Sequence, residues 1–491
     1  MFILKLFKVP LTLVTLMLTA KLFGATISRD IWLLGYSVLQ SIDLAIWGPI
    51  NETFRAKYVT IVENLGQNTA LSYTRSLLFF ILVISIVISV IVFAGSSEIA
   101  KLIAPQFSSK SHNELVIMLR LLTPWLLVNQ IVLIKISILN ANNVFYVPEI
   151  ASFISQILNI LFLIFFAERL GIYSLVIGLY ISTIILLVLV AFNVKKLNLG
   201  LYSKINVSAL GFKVFFLFSL PFFIPYFVGQ LNGMIEKSLA VSLGKGILSV
   251  LDFSRRIPDI ISGVLSSVIL SILVPNLTRH HIKGNQKEFQ AEFLATFRLG
   301  LFLLAAIVIF FFCNSQTVVN LLYSSKNIAG EEMLLISELT TLYSVSSLGI
   351  FAYVIFGMAM MAMQKSRLYV IIGILAQVLV ILMNIFLVKF STYYIFPISI
   401  AVSHFCCGII MLSYFQGNKL LLVKEFLKYI GLIAICCVVI MPLISFIQIR
   451  SEILKMTMLT FIQGVVILLV GSVIKIEEVK DIKKMLKTKL L

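Results

Sequence analysis

Apolar runs of about 20 residues recur along the whole chain, and that recurrence limits its fold more than any other feature. Each run is long enough to cross the hydrocarbon of a bilayer as a helix. Segments such as 76–93 and 431–446 are apolar without alternation. That excludes a membrane β-barrel, whose strands alternate apolar and polar residues over about ten positions. A soluble fold is excluded too: of 491 residues, 60% are hydrophobic and 12% charged, about half the charge of an ordinary soluble domain. The chain is therefore predicted to be an all-α integral membrane protein with about fourteen transmembrane helices.

The predicted spans are 6–24, 30–50, 76–104, 115–141, 147–168, 171–194, 211–236, 247–275, 295–322, 332–362, 367–390, 394–415, 425–447 and 456–475. Lys5 and Lys8 precede the apolar stretch 9–23 as in a signal peptide, but no small-x-small cleavage site and soluble domain follow. The stretch reads as a retained first helix. The net charge of +18 sits between the apolar runs, so it reports topology rather than nucleic-acid binding. With the N-terminus in the cytoplasm, one set of loops holds Arg55, Lys57, Lys195, Lys196, Lys204, Arg279, Lys283, Lys287, Lys365, Arg367, Lys419 and Lys424, and the tail adds six lysines from Lys475 to Lys489. The opposite loops hold fewer, chiefly Arg29, Lys110, Arg169, Lys245, Lys326, Arg450 and Lys455. The positive-inside rule then places both termini in the cytoplasm.

The chain carries a weak internal repeat. Pro49-Ile50-Asn51-Glu52-Thr53-Phe54-Arg55 leads, through a polar stretch, into a third helix beginning near Arg75; Pro275-Asn276-Leu277-Thr278-Arg279 leads likewise to Arg298. Asn159 and Asn384 fall near the middle of the fifth and eleventh helices. Six helices separate equivalent points, so both halves share one orientation, the parallel-repeat arrangement of many transporters. The predicted organisation is a six-helix lobe at 1–207, a second at 208–418, and two extra helices with a basic tail at 419–491. Two such lobes would enclose a central cavity.

An ionisable residue within a spanning helix costs several kcal/mol and should face a cavity or a partner. The densest group is in the eighth helix: Asp252, Arg255, Arg256 and Asp259. Spacings of three and four put most of them on one face, where Asp252 can pair with Arg255 or Arg256. Pro258 removes a backbone hydrogen bond there. The group reads either as an anionic-substrate site lined by Arg255 and Arg256 or as a neutralised structural ion-pair cluster. Lys21, Arg29, Asp30 and Asp43 are further candidates in the first two helices, and Glu236 and Lys237 end the seventh. Pro221 and Pro225 resemble the broken helices of transporters.

Enzyme motifs are absent: there is no phosphate-binding P-loop, no Gly-x-Ser-x-Gly and no His-Glu-x-x-His. His280-His281 reads as a solvated loop pair, and His404 as a helix residue bonded to Ser403 or another neighbour. The five cysteines, Cys313, Cys406, Cys407, Cys436 and Cys437, lie in apolar runs without ligand spacing and read as small core residues. No cofactor or metal is expected. Without a nucleotide site, energy would come from an ion gradient, the membrane potential or consumption of product.

Several motifs resemble the MviN/MurJ-type lipid flippases of the multidrug/oligosaccharidyl-lipid/polysaccharide exporter superfamily. They are Ala20-Lys21-Leu22-Phe23-Gly24 followed by Asp30, Arg255-Arg256-Ile257-Pro258, Ser262-Gly263-Val264-Leu265, Ile272-Leu273-Val274-Pro275-Asn276-Leu277-Thr278-Arg279 and Gly284-Asn285. The resemblance implies a flippase that moves an undecaprenyl-pyrophosphate-linked saccharide, lipid II or a surface-polysaccharide unit, from the cytoplasmic to the outer leaflet by alternating access. It implies substrate contacts at Arg256, Asp30 and Lys21, and the eighth-helix charges add Arg255, Asp252 and Asp259 to that candidate site. It also implies a cation site at Glu236, Asn384 and Ser403 for coupling to Na+ or H+. The implied setting is the bacterial inner membrane, with a lipid-linked oligosaccharide and membrane lipids as partners and a working monomer. The sequence departs from the family's pattern in the first lobe. An early arginine falls at Thr15, a second-helix arginine near Asp43, and the Ala-Glu-Gly turn reads Ile46-Trp47-Gly48. Two other readings are a cation-coupled drug exporter of the same superfamily, which predicts an acidic, aromatic cavity, and a membrane glycan polymerase or ligase, which predicts a large outer loop.

Overall fold

The computed structural model describes residues 2–197, 209–446 and 451–482, without the side chains of 2–7, 209, 264–272 and 445–446. Lys204, Arg450 and the lysines from Lys483 onward lie outside the described residues, as do the side chains of Val264, Leu265 and Ile272. Every regular element among the described residues is helical. This is the outcome a bilayer imposes, since a helix satisfies its backbone N–H and C=O groups within one segment. The helices are α1 (Phe2–Phe23), α2 (Ile27–Leu65), α3 (Gln67–Ala94), α4 (Ser96–Ile103), α5 (Ser109–Leu122), α6 (Trp125–Ala141), α7 (Tyr146–Leu170), α8 (Tyr173–Lys196) and α9 (Ala209–Ser219). They continue as α10 (Phe223–Ser242), α11 (Ile247–Ile282), α12 (Gln286–Tyr323), α13 (Gly330–Ala362), α14 (Ser366–Ser391), α15 (Ile395–Ser413), α16 (Lys419–Phe446) and α17 (Glu452–Val473).

Eleven segments of the described residues are long and apolar enough to cross a membrane, so the protein is a multi-pass membrane protein; the expected number was about fourteen. One of the eleven segments joins two of the expected spans. The segment Ser366–Ser413 holds both α14 and α15. Two predicted spans are each built from two helices, α5 with α6 and α9 with α10. A short 3-10 turn, Leu220–Phe222, interrupts the latter at Pro221.

The chain forms two compact units: Met1–Ser249 with Ser325–Asn327, and Val250–Ser324 with Ile328–Leu491. In the first, α2 is the central helix and packs against α3, α5, α6, α9 and α10. Its buried residues Trp47, Ile50, Phe54, Tyr58 and Ile61 follow helical spacing and meet Leu71, Leu77, Ile138 and Phe215. α7 packs on α8 and on α1, where Lys8 bonds Glu149.

In the second unit α13 packs most extensively, against α12 and α15. Small residues let α13 and α15 close together: a Cβ at Gly349 would lie 2.3 Å from the Ala401 carbonyl oxygen, and one at Gly408 would lie 3.1 Å from Ala352. Close backbone approach through small residues is the usual means of joining helices where lipid removes the hydrophobic drive. The core beside them is aromatic, with Phe293 against Phe297, Phe356 and Phe415. α16 and α17 cover α12, and Arg298 of α12 bonds Glu425 of α16 at 2.8 Å. His280 is not a solvated loop residue. It lies in the last turn of α11, with its ring nitrogens 3.2 Å from Glu288 and 3.0 Å from Glu292.

Large apolar side chains such as Phe165, Phe386, Phe390, Val438 and Phe461 are exposed. On a multi-pass membrane protein they face lipid. Phe293 is fully buried, and removing a buried phenylalanine ring costs about 3–5 kcal/mol. Phe293→Ala should therefore lower the midpoint of thermal unfolding in detergent clearly, while the exposed Phe390→Ala should leave it nearly unchanged.

Candidate functional site

α11 carries the densest charge, and its backbone runs on through Pro258 and Pro275. Along it, each arginine takes the carboxylate one turn away. Arg256 Nε donates to Asp252 Oδ1 at 3.0 Å, and Arg255 Nε donates to Asp259 Oδ2 at 2.9 Å. Both pairs are i,i+4, the spacing that brings side chains together on one helical face. The side chains of Arg255, Arg256 and Asp259 are about half exposed, at 42%, 52% and 52%, and that of Asp252 is 18% exposed. The Arg255 guanidinium lies 5.9 Å from the centre of the Tyr343 ring. Two accessible guanidinium groups, each held by a carboxylate of its own helix, form an arrangement that can exchange one anion for another.

Asp30 is fully buried and serves the start of α11. Its Oδ2 accepts from the Gly246 N–H at 2.6 Å. Its Oδ1 accepts from the Ser249 N–H at 2.8 Å and from the Ser249 hydroxyl at 2.6 Å. The first N–H groups of a helix have no partner in the helix itself and favour a negative charge. Asp30 thus caps α11 from α2, and Arg29 Nη1 donates to the Ser249 carbonyl at 3.2 Å. The corner tolerates nothing larger than glycine at 246: its φ is +81°, and a Cβ there would lie 2.3 Å from the Ala25 carbonyl oxygen. Lys21 is exposed in the last turn of α1, and its carbonyl accepts from Asn327 Nδ2 at 2.8 Å.

Glu236 lies half-buried on α10 in the first unit. Asn384 and Ser403 lie on α14 and α15 in the second, both buried. Asn384 Oδ1 accepts from the Ser399 hydroxyl at 2.6 Å, and the Ser403 hydroxyl faces Met383 Sδ at 3.7 Å. Ser399 is the residue that sequence reasoning passed over. It sits one turn before Ser403 on the same face of α15. His404 bonds the Ile400 carbonyl through Nδ1 at 2.8 Å and packs edge-on against Tyr353. All five cysteines are free thiols; Cys406 is exposed, contrary to the core position expected of it. Among the described residues no group of His, Cys, Asp and Glu could hold a metal ion.

The Asp30 cap gives a graded expectation. Asp30→Ala strands three buried donors, each at about 1–3 kcal/mol, whereas Asp30→Asn keeps one oxygen acceptor. Thermal unfolding of the purified protein should rank wild type above Asp30→Asn and Asp30→Asn above Asp30→Ala, with Gly246→Ala also strongly destabilised.

This helical architecture has known counterparts. In fold the chain is similar to a solved structure of lipid II flippase MurJ in an inward closed conformation, with a TM-score of 0.81, 18% identity and 98% of each chain covered. It is also similar to an inward-facing multidrug resistance MATE family transporter of the MOP superfamily, with a TM-score of 0.69, 13% identity, and 87% of this chain and 99% of that one covered. A relative from Buchnera aphidicola subsp. Baizongia pistaciae (strain Bp), named "Probable lipid II flippase MurJ", is 24% identical over 359 residues, 71% of this chain and 70% of its own length. A family model described as "Lipid II flippase MurJ" matches residues 19–462. That match takes in α2 to α16, including both the Asp30 cap and the arginine pairs of α11, and the chain belongs to the lipid II flippase MurJ family.

Proposed function

We propose that the protein is a flippase that carries an undecaprenyl-pyrophosphate-linked saccharide, lipid II or a closely related surface-polysaccharide unit, from the cytoplasmic to the outer leaflet by alternating access. The observation that carries this reading is the pair of half-exposed arginines on α11, each held by an aspartate of the same helix. A guanidinium presents a planar fork of donors that matches phosphate oxygens. A pyrophosphate arriving at Arg255 and Arg256 would displace Asp259 and Asp252, and those carboxylates would take the arginines back when the head group leaves. The arginines would then have an anionic partner at every stage, which limits the cost of charge within the membrane. Flipping makes and breaks no covalent bond, so the protein is read as a transporter and not an enzyme.

Lys21 is proposed as a second cationic contact for the head group. Asp30 has both oxygens engaged by the start of α11, so direct contact with substrate would require that cap to open. Glu236, Asn384 and Ser403 remain the proposed ligands for a coupling Na+ or H+. The repeat boundaries at 207 and 418 are proposed as divisions of internal duplication. The lysine and arginine distribution supports both termini in the cytoplasm of a bacterial inner membrane, and a monomer is the proposed working unit.

Removing one charge-assisted hydrogen bond costs about 1.5–3 kcal/mol, roughly ten- to a hundredfold in affinity. In cells depleted of their own lipid II flippase, the wild-type gene should restore growth. Arg256→Ala should fail at equal membrane abundance, and Arg256→Lys should restore growth partly. Failure of a well-expressed wild type would exclude lipid II, and loss of surface polysaccharide in a knockout would then identify the alternative saccharide.

A further inference from the structure

Asp43 lies in the spanning helix α2, 3% exposed. Its Oδ1 accepts from Gln130 Nε2 at 2.6 Å and its Oδ2 from Asn129 Nδ2 at 2.8 Å, both on α6. Gln130 in turn accepts from Asn51 Nδ2 at 3.2 Å, two turns further along α2. The cluster is therefore one carboxyl and three neutral amides. The helices packed against α2 carry Tyr73 and Arg75 on α3, Lys110, His112, Glu114 and Arg120 on α5, Lys135 on α6, Lys213 on α9, and Tyr226, Glu236 and Lys237 on α10. None of these touches Asp43 or lines the crevice beside it. Along α2 itself the nearest charged residues are Arg29 and Asp30 before Asp43 and Glu52 and Arg55 after it.

Neutral amides donate to a carboxylate yet bring no charge to balance it, so the same oxygens can carry a proton in its place. A protonated carboxyl also needs an acceptor for its O–H. Ser85 of α3 is 2% exposed, its hydroxyl has no hydrogen-bond partner, and it lines the same crevice as Asp43, Ile46 and Trp47. One carboxyl and neutral groups line that crevice, which suits a proton better than a metal ion with its several ligands.

We propose that Asp43 is a proton-binding site within the first unit, held by Asn129 and Gln130 when ionised and turned toward Ser85 when protonated. One proton adds to a carboxylate oxygen and later leaves to water, and no other bond changes. Binding it weakens the two N–H bonds from α6 and makes an O–H bond toward α3. Protonation thereby alters how α2 is tied to its neighbours. That this couples proton movement to transport rests on the transporter reading above; the titration itself does not.

Infrared difference spectra of the full-length protein in lipid vesicles, recorded between about pH 5 and pH 9, test the site without any substrate. The wild type should show a protonated-carboxyl C=O band that disappears as pH rises. Asp43→Asn should lack that band at equal incorporation, and Ser85→Ala should keep it at a shifted frequency. Identical spectra for wild type and Asp43→Asn would overturn the proposal. So would a band that Na+ removes at constant pH, because the ligand would then be a metal ion. A titrating Asp43 in a protein that flips no lipid-linked saccharide would defeat the functional reading and leave this site standing, and a silent Asp43 in an active flippase would do the reverse.

Discussion

A charge inside an apolar slab must be balanced or hydrogen-bonded by the chain that carries it, and the polar architecture of this protein follows from that requirement. Backbone groups meet it by forming helices throughout. Side chains meet it in three ways. Asp30 spends its charge on the open N–H groups at the start of α11. Arg255 and Arg256 take aspartates of their own helix. Asp43 gathers amides from α6. Each solution leaves the residue with different capacities. A cap with three donors on two oxygens is fixed, an exposed i,i+4 pair can exchange its partner, and a buried carboxyl among neutral groups can take up a proton.

These differences separate residues that look alike in the sequence. Asp30, Asp43, Asp252 and Asp259 are all aspartates in or beside spanning segments. Only the last two stand beside accessible arginines, each in an i,i+4 ion pair. The departures from the family's first-lobe pattern are equally specific. Thr15 bonds the Leu11 carbonyl of its own helix, and Gly48 packs beneath the Tyr226 ring. Near the position where the family pattern places an arginine, Asp43 is buried and bonded by two neutral amides instead. The first unit thus lacks, at these positions, the cationic side chains that the pattern implies.

The helical class and most spans are legible in the sequence because spanning helices are local: a run of apolar residues identifies itself. The α11 pairs are nearly legible for the same reason. Spacing limits Asp252 to Arg255 or Arg256, and only the rotamers decide for Arg256. The Asp30 cap is not legible, since Gly246 and Ser249 lie 216 and 219 residues further along the chain. Nor is the Asp43 cluster, whose amide partners are 86 and 87 residues away. On α15, helical periodicity allows either Ser399 or Ser403 to face Asn384, and packing selects Ser399. His280 was misread as loop because α11 extends past Pro275 to Ile282.

The transport roles proposed for these residues depend on movement of a lipid-linked precursor across a bilayer. The most direct measurement reconstitutes the purified protein in vesicles containing a short-chain polyprenyl-pyrophosphate disaccharide and follows head-group access to a membrane-impermeant reagent. The account predicts that inner-leaflet head groups become reactive faster than in protein-free vesicles, and that Arg255→Ala with Arg256→Ala abolishes the gain. Equal rates with and without a well-folded protein would contradict it.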